Sequence, residues 1–310
     1  YFNVPINENG ITASFTPGRG NYGNLSYNSN GQMSFIHESP DSPANVFIAN
    51  MDDFEPKQMT KVNSNFADMP HGKTEVIRWR SSDGLEIEGL LTYPINYRKG
   101  KRVPLVLNIH GGPAGVYTEN YTGRSSVYPI QAFAQQGYAV LRANPRGSSG
   151  YSKDFRFANR SDWGGMDYQD LMTGVDHVIN MGVVDGKDLY VMGWSYGGFM
   201  TTNLLLNYPN LFTCGVAGGP VTNWLYYEIM YTERYMDHPD NNENGYEKTN
   251  LINQVHLLED PLLMIHGLVD DIVVPKHSLD FIKASVDNNI QMDYFIYPGH
   301  PHQSIMIGSP

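Results

Sequence analysis

The chain has 310 residues, of which 41% are hydrophobic and 17% charged, and this length fits one large α/β domain or one domain with a smaller addition. Its formal net charge of −11, without a cluster of lysine and arginine, argues against a nucleic acid or an anionic membrane as partner. The single cysteine, Cys214, excludes an internal disulfide, and no segment approaches the roughly 20 apolar residues that span a bilayer.

Residues 1–70 are predicted to form short β segments separated by turns. Two runs of alternating apolar and polar residues, Met33–His37 and Asn45–Ala49, lie between segments rich in Gly, Ser and Pro. This pattern favours a four-stranded antiparallel sheet. One such sheet exposes both of its faces, so we expect it to belong to a larger array that lies outside this chain.

In residues 71–310, β-type runs alternate with runs of helical periodicity. The predicted strands are Thr74–Arg80, Leu85–Thr92, Val103–Ile109, Tyr138–Arg142, Leu189–Met192, Cys214–Ala217, Pro261–His266 and Gln291–Tyr297. Helices are predicted near Val127–Gln136, Met166–Met181, Lys276–Asn288 and directly after Ser195. This alternation is typical of a mostly parallel sheet covered by helices. We therefore predict an α/β-hydrolase fold preceded by a short antiparallel β segment.

The segment Gly193-Trp-Ser195-Tyr-Gly197 has the pattern G-x-S-x-G between a predicted strand and a predicted helix. In this context the pattern indicates a nucleophile elbow. The turn is so sharp that a side chain at Gly193 or Gly197 would collide with neighbouring backbone. Ser195 is therefore the predicted nucleophile, at the positive end of the following helix.

A serine nucleophile needs a base, and the base needs an acid that orients it. In this fold the chain order is Ser, acid, His. Asp270 follows the strand that ends at His266, with its neighbour Asp271 as the alternative. His302 follows the last strand, with His300 as the alternative. The other histidines form no pair with metal-ligand spacing, so we expect neither a metal nor an organic cofactor.

Two backbone N–H groups are predicted to bind the oxyanion of the tetrahedral intermediate. One belongs to Tyr196, directly after the nucleophile. The other lies in the loop His110-Gly-Gly-Pro113 that follows the third predicted strand of this region. Adjacent glycines let a backbone amide approach the substrate closely. Gly112 is the preferred donor and Gly111 the alternative.

Three segments together resemble the prolyl oligopeptidase family of serine peptidases: Gly193–Gly198, His266–Asp271 and Tyr297–His302. The segment Pro220–Met236 resembles more narrowly the dipeptidyl peptidase IV branch. That resemblance implies a pocket for the residue before the scissile bond. Its lining would consist of Val221, Trp224, Tyr227 and Tyr231, with Tyr196 beside the nucleophile. Aromatic faces suit a compact, apolar proline ring.

The sequence departs from that branch at several positions. His110 stands where dipeptidyl peptidase IV has a tyrosine in the oxyanion loop, and Ile272 stands where the branch often has asparagine. The family carries an N-terminal β-propeller, and residues 1–70 look like only its last blade. The propeller groups that grip the substrate's amino terminus are therefore expected to lie outside this chain. The family fold also continues past the catalytic histidine, so we expect the hydrolase domain to be truncated at its C-terminus.

The sequence thus predicts a serine peptidase that hydrolyses short peptides after Pro or Ala through an acyl-enzyme intermediate, with dipeptidyl aminopeptidase activity as a narrower hypothesis. The alternative is a carboxylesterase of the same fold, because esters are easier to cleave than amides. Short peptides are the expected partners, and a homodimer is a further hypothesis.

Overall fold

The computed structural model describes residues 2–3, 13–14, 18–50, 54–67, 69–124 and 126–303. The expected truncated end of the hydrolase domain, after residue 303, lies outside these residues. The chain divides into two compact units. The first contains Tyr1–Met69 and Thr118–Gly123, and the second contains Pro70–Tyr117 and Arg124–Pro310.

The first unit contains an antiparallel sheet of four strands, as the alternating runs predict. Its strands are, in order across the sheet, β3 (Asn21–Tyr27), β4 (Gln32–Ser39), β5 (Ser42–Asn50) and β6 (Lys57–Gln58). A separate antiparallel pair is formed by β1 (Phe2–Asn3) and β2 (Ala13–Ser14), and a short helix, α1, covers Ser64–Ala67. The small core of this unit centres on Met33, Phe35 and Ala49.

The second unit is built on an eight-stranded sheet. Its strands are β7 (Thr74–Arg80), β8 (Glu86–Thr92), β9 (Val103–Ile109), β10 (Ala139–Asn144), β11 (Val184–Trp194), β12 (Cys214–Gly218), β13 (Leu262–Gly267) and β14 (Asp293–Tyr297). The order across the sheet is β14-β13-β12-β11-β9-β10-β8-β7. Strand β8 pairs in antiparallel fashion with both of its neighbours, β10 and β7, and the other neighbouring strands are parallel. This mostly parallel sheet is the predicted α/β-hydrolase sheet.

Helices cover this sheet. They are α2 (Ile130–Gln135), α3 (Lys153–Arg156), α4 (Met166–Asn180), α5 (Tyr196–Asn207), α6 (Ile229–Met236), α7 (Glu243–Lys248) and α8 (Lys276–Asp287). Single turns of 3₁₀ helix cover Trp224–Tyr226 and Pro239–Asn241, and a longer 3₁₀ segment covers Leu251–Leu257. No helix in the described part of the chain is long and apolar enough to cross a membrane.

Strand β9 shows why the sheet needs cover on both faces. Leu105, Leu107 and Ile109 point to one face and join the main core, whereas Val106 points to the other face and joins a second cluster with Ile130. All five side chains are buried. A strand that is buried on both faces reads as a nearly continuous apolar run, as β9 does.

The topology places the predicted site residues at one edge of the sheet. The strands from β9 to β14 run parallel, so their carboxyl ends lie on the same side. After β9 the chain crosses to β10 on one side and returns to β11 on the other. The crevice at such a reversal of strand order is where open α/β sheets bind ligands. The loop after β9 and the turn after β11 both open at this point.

Candidate active site

Ser195 lies in the turn between β11 and α5, and its backbone is held in an unusual conformation. Its φ and ψ angles are 62° and −118°. A Cβ atom at Gly193 would lie 2.4 Å from the Gly197 backbone, and one at Gly197 would lie 2.2 Å from the carbonyl oxygen of Ile109. Any side chain at these two positions would therefore force the turn apart. Conformations of this kind persist where the surrounding structure over-determines them.

The backbone N–H of Tyr196 lies in the first turn of α5, where N–H groups have no partner inside the helix. The ring of Tyr196 is buried, and its hydroxyl donates a hydrogen bond to the carboxylate of Asp167 on α4. Burial raises the pKa of Asp167 to about 7. This hydrogen bond fixes the side chain of Tyr196, the residue whose backbone N–H is the predicted oxyanion donor. Sequence reasoning did not identify Asp167.

The loop after β9 brings Gly111 next to Ser195, and Gly112 follows it in the chain. An ideal Cβ at Gly111 would lie 4.0 Å from the Oγ atom of Ser195. Gly112 has a φ of 126°, a conformation that suits glycine, and a Cβ there would lie 2.3 Å from the backbone nitrogen of Ala114. The carbonyl of Gly112 accepts a hydrogen bond from the hydroxyl of Tyr231, 3.3 Å away. The peptide carbonyl is thereby directed toward Tyr231.

The side chain of His110 holds the same loop from inside. Its Nδ1 donates to the carbonyl of Gly111 at 2.8 Å, and its Nε2 lies 3.0 Å from the Oγ atom of Ser148. Burial lowers the pKa of His110 to about 4, so the ring is neutral at neutral pH. The neutral ring of His110 therefore stabilises the loop, and the carbonyl of Gly111 accepts its hydrogen bond from inside the loop.

The last residue of β10 and a residue of the following turn hold the loop after β9 from a second side. The Asn144 amide accepts from the backbone N–H of Tyr117 at 2.7 Å and donates to its carbonyl at 2.9 Å. The Ser149 hydroxyl donates to the carbonyl of Ala114 at 2.6 Å. Sequence reasoning missed these two residues, although the turn-rich run Asn144–Ser149 directly after a predicted strand was a usable signal.

Asp270 lies in the turn after β13 and is almost fully buried. Its Oδ2 accepts a hydrogen bond of 2.6 Å from Nδ1 of His302. Its Oδ1 accepts from the backbone N–H groups of Ile272 at 3.0 Å and Val273 at 2.8 Å. Burial alone would raise the pKa of Asp270, but hydrogen bonding by His266 and His302 outweighs it and holds the pKa below its usual range. The carboxylate is therefore ionised at neutral pH.

The two rival positions differ in their surroundings. Asp271 is exposed to solvent, while Asp270 faces the histidine. The ring of His300 packs edge-on against Tyr297, with 5.7 Å between ring centroids. His302 is buried instead, 5.9 Å from the ring of Trp194, which precedes the nucleophile. The geometry thus brings Asp270 and His302 together beside the nucleophile turn.

Within the described residues, the hydroxyl of Ser195 makes no hydrogen bond with a donor–acceptor distance of 3.5 Å or less. In resting hydrolase sites the bond between nucleophile and base is often long and tightens when substrate binds. None of the described His, Cys, Asp and Glu side chains form a group of three or more that would hold a metal ion.

Four of the predicted pocket residues form a chain of ring contacts. Trp224 lies 5.8 Å from Tyr196 and 5.5 Å from Tyr227, and Tyr227 lies 6.1 Å from Tyr231, measured between ring centroids. Trp224 is buried, whereas Tyr227 and Tyr231 are partly exposed. Val221, the fifth residue, is fully buried in the same core.

A further aromatic residue, Trp163, joins this cluster. Its ring lies 4.3 Å from Trp224, 5.6 Å from Tyr196 and 6.2 Å from Tyr231. It is 1% exposed, so it forms part of the floor beneath the half-buried tyrosines. Trp163 lies far from the other members in the sequence, and no local pattern pointed to it.

Comparisons with known proteins show which family the chain is similar to. A profile of the prolyl oligopeptidase family matches residues 124–309. The uncharacterized peptidase YuxL of Bacillus subtilis is 34% identical over 242 residues, which make up 75% of this chain and 36% of that protein. Mouse dipeptidyl peptidase 8 is 31% identical over 232 residues, 74% of this chain and 26% of that protein.

A solved structure from Bacteroides ovatus, assigned as a dipeptidyl aminopeptidase IV, superimposes with a TM-score of 0.80 at 34% identity. The match covers 88% of this chain and 39% of that one. The chain therefore spans between about a quarter and two fifths of the length of these relatives. The sequence match, the superposition and the elbow geometry agree: the chain belongs to the prolyl oligopeptidase family.

Proposed function

We propose that the chain is the catalytic part of a serine peptidase that cleaves short peptides after Pro or Ala. The observation that carries the proposal is the hydrogen bond between Nδ1 of His302 and Asp270, formed beside the nucleophile turn at Ser195. This is the arrangement that a serine nucleophile requires, since its base must be held in one tautomer and orientation. The family membership supports the same reading.

In the proposed mechanism, Ser195 attacks the carbonyl carbon of the scissile bond while its proton passes to Nε2 of His302. Nδ1 of His302 keeps its own proton and uses it for the hydrogen bond to Asp270. The ionised carboxylate stabilises the imidazolium that forms. The amine then leaves with the proton from His302. Water, deprotonated by the same ring, hydrolyses the acyl-enzyme and releases Ser195.

The oxyanion of each tetrahedral intermediate is assigned to the N–H groups of Tyr196 and Gly112. Both are held by contacts that involve no substrate: Tyr196 by Asp167, and the N–H of Gly112 by the bond that the carbonyl of Gly111, in the same peptide plane, accepts from His110. Donors that are already oriented stabilise the charge without reorganising during the reaction. Removal of one such donor typically costs on the order of 10²–10³ in kcat.

The specificity for Pro or Ala is assigned to the aromatic cluster. The rings of Trp163 and Trp224 form a buried floor, and the partly exposed rings of Tyr227 and Tyr231 stand beside it. None of these four side chains carries a charge at neutral pH. A small apolar side chain therefore suits this surface better than a charged one.

The test compares hydrolysis of Gly-Pro and Ala-Pro p-nitroanilides with that of a Gly-Arg p-nitroanilide and of p-nitrophenyl acetate. We expect cleavage of the Pro anilides, weak cleavage of the Arg anilide, and loss of all activity in Ser195→Ala. Cleavage of the ester without any anilide would instead indicate a carboxylesterase. Equal rates on the Pro and Arg anilides would refute the assigned pocket.

A further inference from the structure

A second histidine, His266, approaches the carboxylate of Asp270 from the end of β13. It is fully buried, and its Nε2 lies 3.4 Å from Oδ2 of Asp270, the same oxygen that accepts from His302. Nε2 also donates to the carbonyl of Val273 at 2.7 Å, and Nδ1 lies 2.6 Å from the Oγ atom of Ser278 on α8. The triad does not use this histidine.

These contacts fix the position of the protons on the ring. The carbonyl of Val273 can only accept a hydrogen bond, so Nε2 of His266 carries hydrogen. Nδ1 is then the acceptor for the hydroxyl of Ser278, and a neutral ring satisfies both contacts. The N–H dipole at Nε2 therefore lies with its positive end near the carboxylate of Asp270.

His266 also acts on the other oxygen of Asp270 through the backbone. The residue that accepts its hydrogen bond, Val273, donates its own N–H to Oδ1 of Asp270 at 2.8 Å. The backbone of Val273 is thus held by two hydrogen bonds, one from its N–H to the carboxylate of Asp270 and one from the imidazole of His266 to its carbonyl. Both carboxylate oxygens depend on the position of this ring.

We propose that His266 is a positioning residue that orients Asp270 and shares the charge of Oδ2, so that this carboxylate attracts the imidazolium formed on His302 less strongly than an otherwise free carboxylate would. The inference rests on the proposed function, since it assigns His302 the role of base. A carboxylate that shares its charge among more donors attracts an imidazolium less strongly. The expected consequence is an acid limb of kcat/KM that lies at lower pH than it would without His266.

The other titratable groups around this site are either uncharged near neutral pH or paired away from it. His277 on α8 is buried, and burial, reinforced by the nearby His266, lowers its pKa to about 3. Burial raises the pKa of Tyr227 to about 12, and it also raises the pKa of Tyr294 on β14. Lys276 on α8 is charged, but it pairs with Asp280 on the exposed side of that helix. Asp270 is thus the charged group that faces His302 most directly.

The experiment compares His266→Phe with His266→Gln in the full chain. Phe keeps the bulk and removes the donor, whereas the amide of Gln places an N–H near the Nε2 position. His266→Asn serves as a second donor-removing variant with less bulk, because its amide reaches only the Nδ1 position. Met264→Ala, a buried position two residues earlier on β13, is the matched control for lost packing.

Two readouts are followed over pH: the acid limb of kcat/KM, and the low-field NMR signal of the Nδ1 proton that His302 shares with Asp270. The NMR readout needs no turnover. We expect the midpoint of both to move to higher pH by about half a unit in His266→Phe and His266→Asn. In His266→Gln the midpoint should lie at the wild-type pH. Met264→Ala should lower the melting temperature and leave the midpoint unchanged.

An unchanged or lowered midpoint in both donor-removing variants would overturn the role of His266, whatever their rates. A missing NMR signal between His302 and Asp270 in the wild-type chain would overturn it as well. Failure of the proposed function would give different results from failure of the role of His266. In that case Ser195→Ala would keep its activity, or the wild-type chain would cleave no Pro anilide although the NMR shift in the His266 variants still appeared.

Discussion

The hydroxyl of Tyr231 donates to the carbonyl of Gly112, with 3.3 Å between the two oxygens. This bond joins helix α6, which carries part of the predicted specificity pocket, to the loop that presents a predicted oxyanion donor. A substrate side chain that packs against Tyr231 would therefore influence the loop that holds the oxyanion. We therefore expect the same tyrosine to affect selectivity through its ring and rate through its hydroxyl.

Two substitutions separate these two contributions. Tyr231→Phe removes only the hydrogen bond, worth about 0.5–1.5 kcal/mol, so kcat should fall by roughly 2- to 10-fold on both a Pro anilide and a simple ester. Tyr231→Ala also removes the ring and should lower kcat/KM for the Pro anilide much more than for the ester. Equal losses on the two substrates in Tyr231→Ala would indicate a purely structural residue.

Replacement of the nucleophile gives the simplest prediction. Ser195→Ala should lower kcat by about 10⁶, since the triad acts as a unit. A fluorophosphonate probe should add one label per wild-type chain and none to the variant, as measured by intact mass. Thr201→Ala, in the buried interior of the following helix, is a suitable control that should keep the label. Normal turnover by Ser195→Ala would contradict the assignment.

The two histidines of the last loop should differ sharply. His302 bonds to Asp270 at 2.6 Å, whereas His300 packs its ring against Tyr297. His302→Ala should thus cost about as much as loss of the serine, and His300→Ala about tenfold or less. Steady-state kinetics on one Pro anilide measure both. The reverse ranking would transfer the role of base to His300.

How far the sequence predicts this molecule depends on whether a feature is local. The strand Val103–Ile109 and the turn at Ser195 were predictable, because apolar runs and glycine spacing act within a few residues. The choice of Asp270 over Asp271 depends on the direction of each side chain after β13, which spacing alone does not determine. The structure settles their placement by burying one and exposing the other.

Features that depend on spatial neighbours were not predictable. Asn144 reaches Tyr117 because β10 lies beside β9 in the sheet, although 27 residues separate the two in the chain. Trp163, in the segment before α4, meets Trp224, in the 3₁₀ turn before α6, only in the folded chain. The helices α6 and α7 were also missed, since each is short and has no side-chain hydrogen bond at its N-cap.

The buried carboxyl of Asp167 should make stability depend on pH. Burial, more than its charged neighbours, raises its pKa from 3.8 to about 7, against the hydrogen bond from Tyr196, which lowers it. A group with a raised folded-state pKa stabilises the protein fully below its unfolded pKa, and that stability is lost as the pH rises through the folded value. Asp167 should therefore weaken the fold progressively between about pH 4 and 7.

Asp167→Asn should remove this dependence, because the amide oxygen still accepts from Tyr196 and cannot ionise. Urea unfolding at pH 5 and pH 7 measures it: between the two, the wild-type free energy of unfolding should fall by roughly 2 kcal/mol more than that of Asp167→Asn. Asp176→Asn, at an exposed position on the same helix, should follow the wild-type curve. If Asp167→Asn and the wild type gave parallel curves, Asp167 would titrate in the folded state as it does in the unfolded chain.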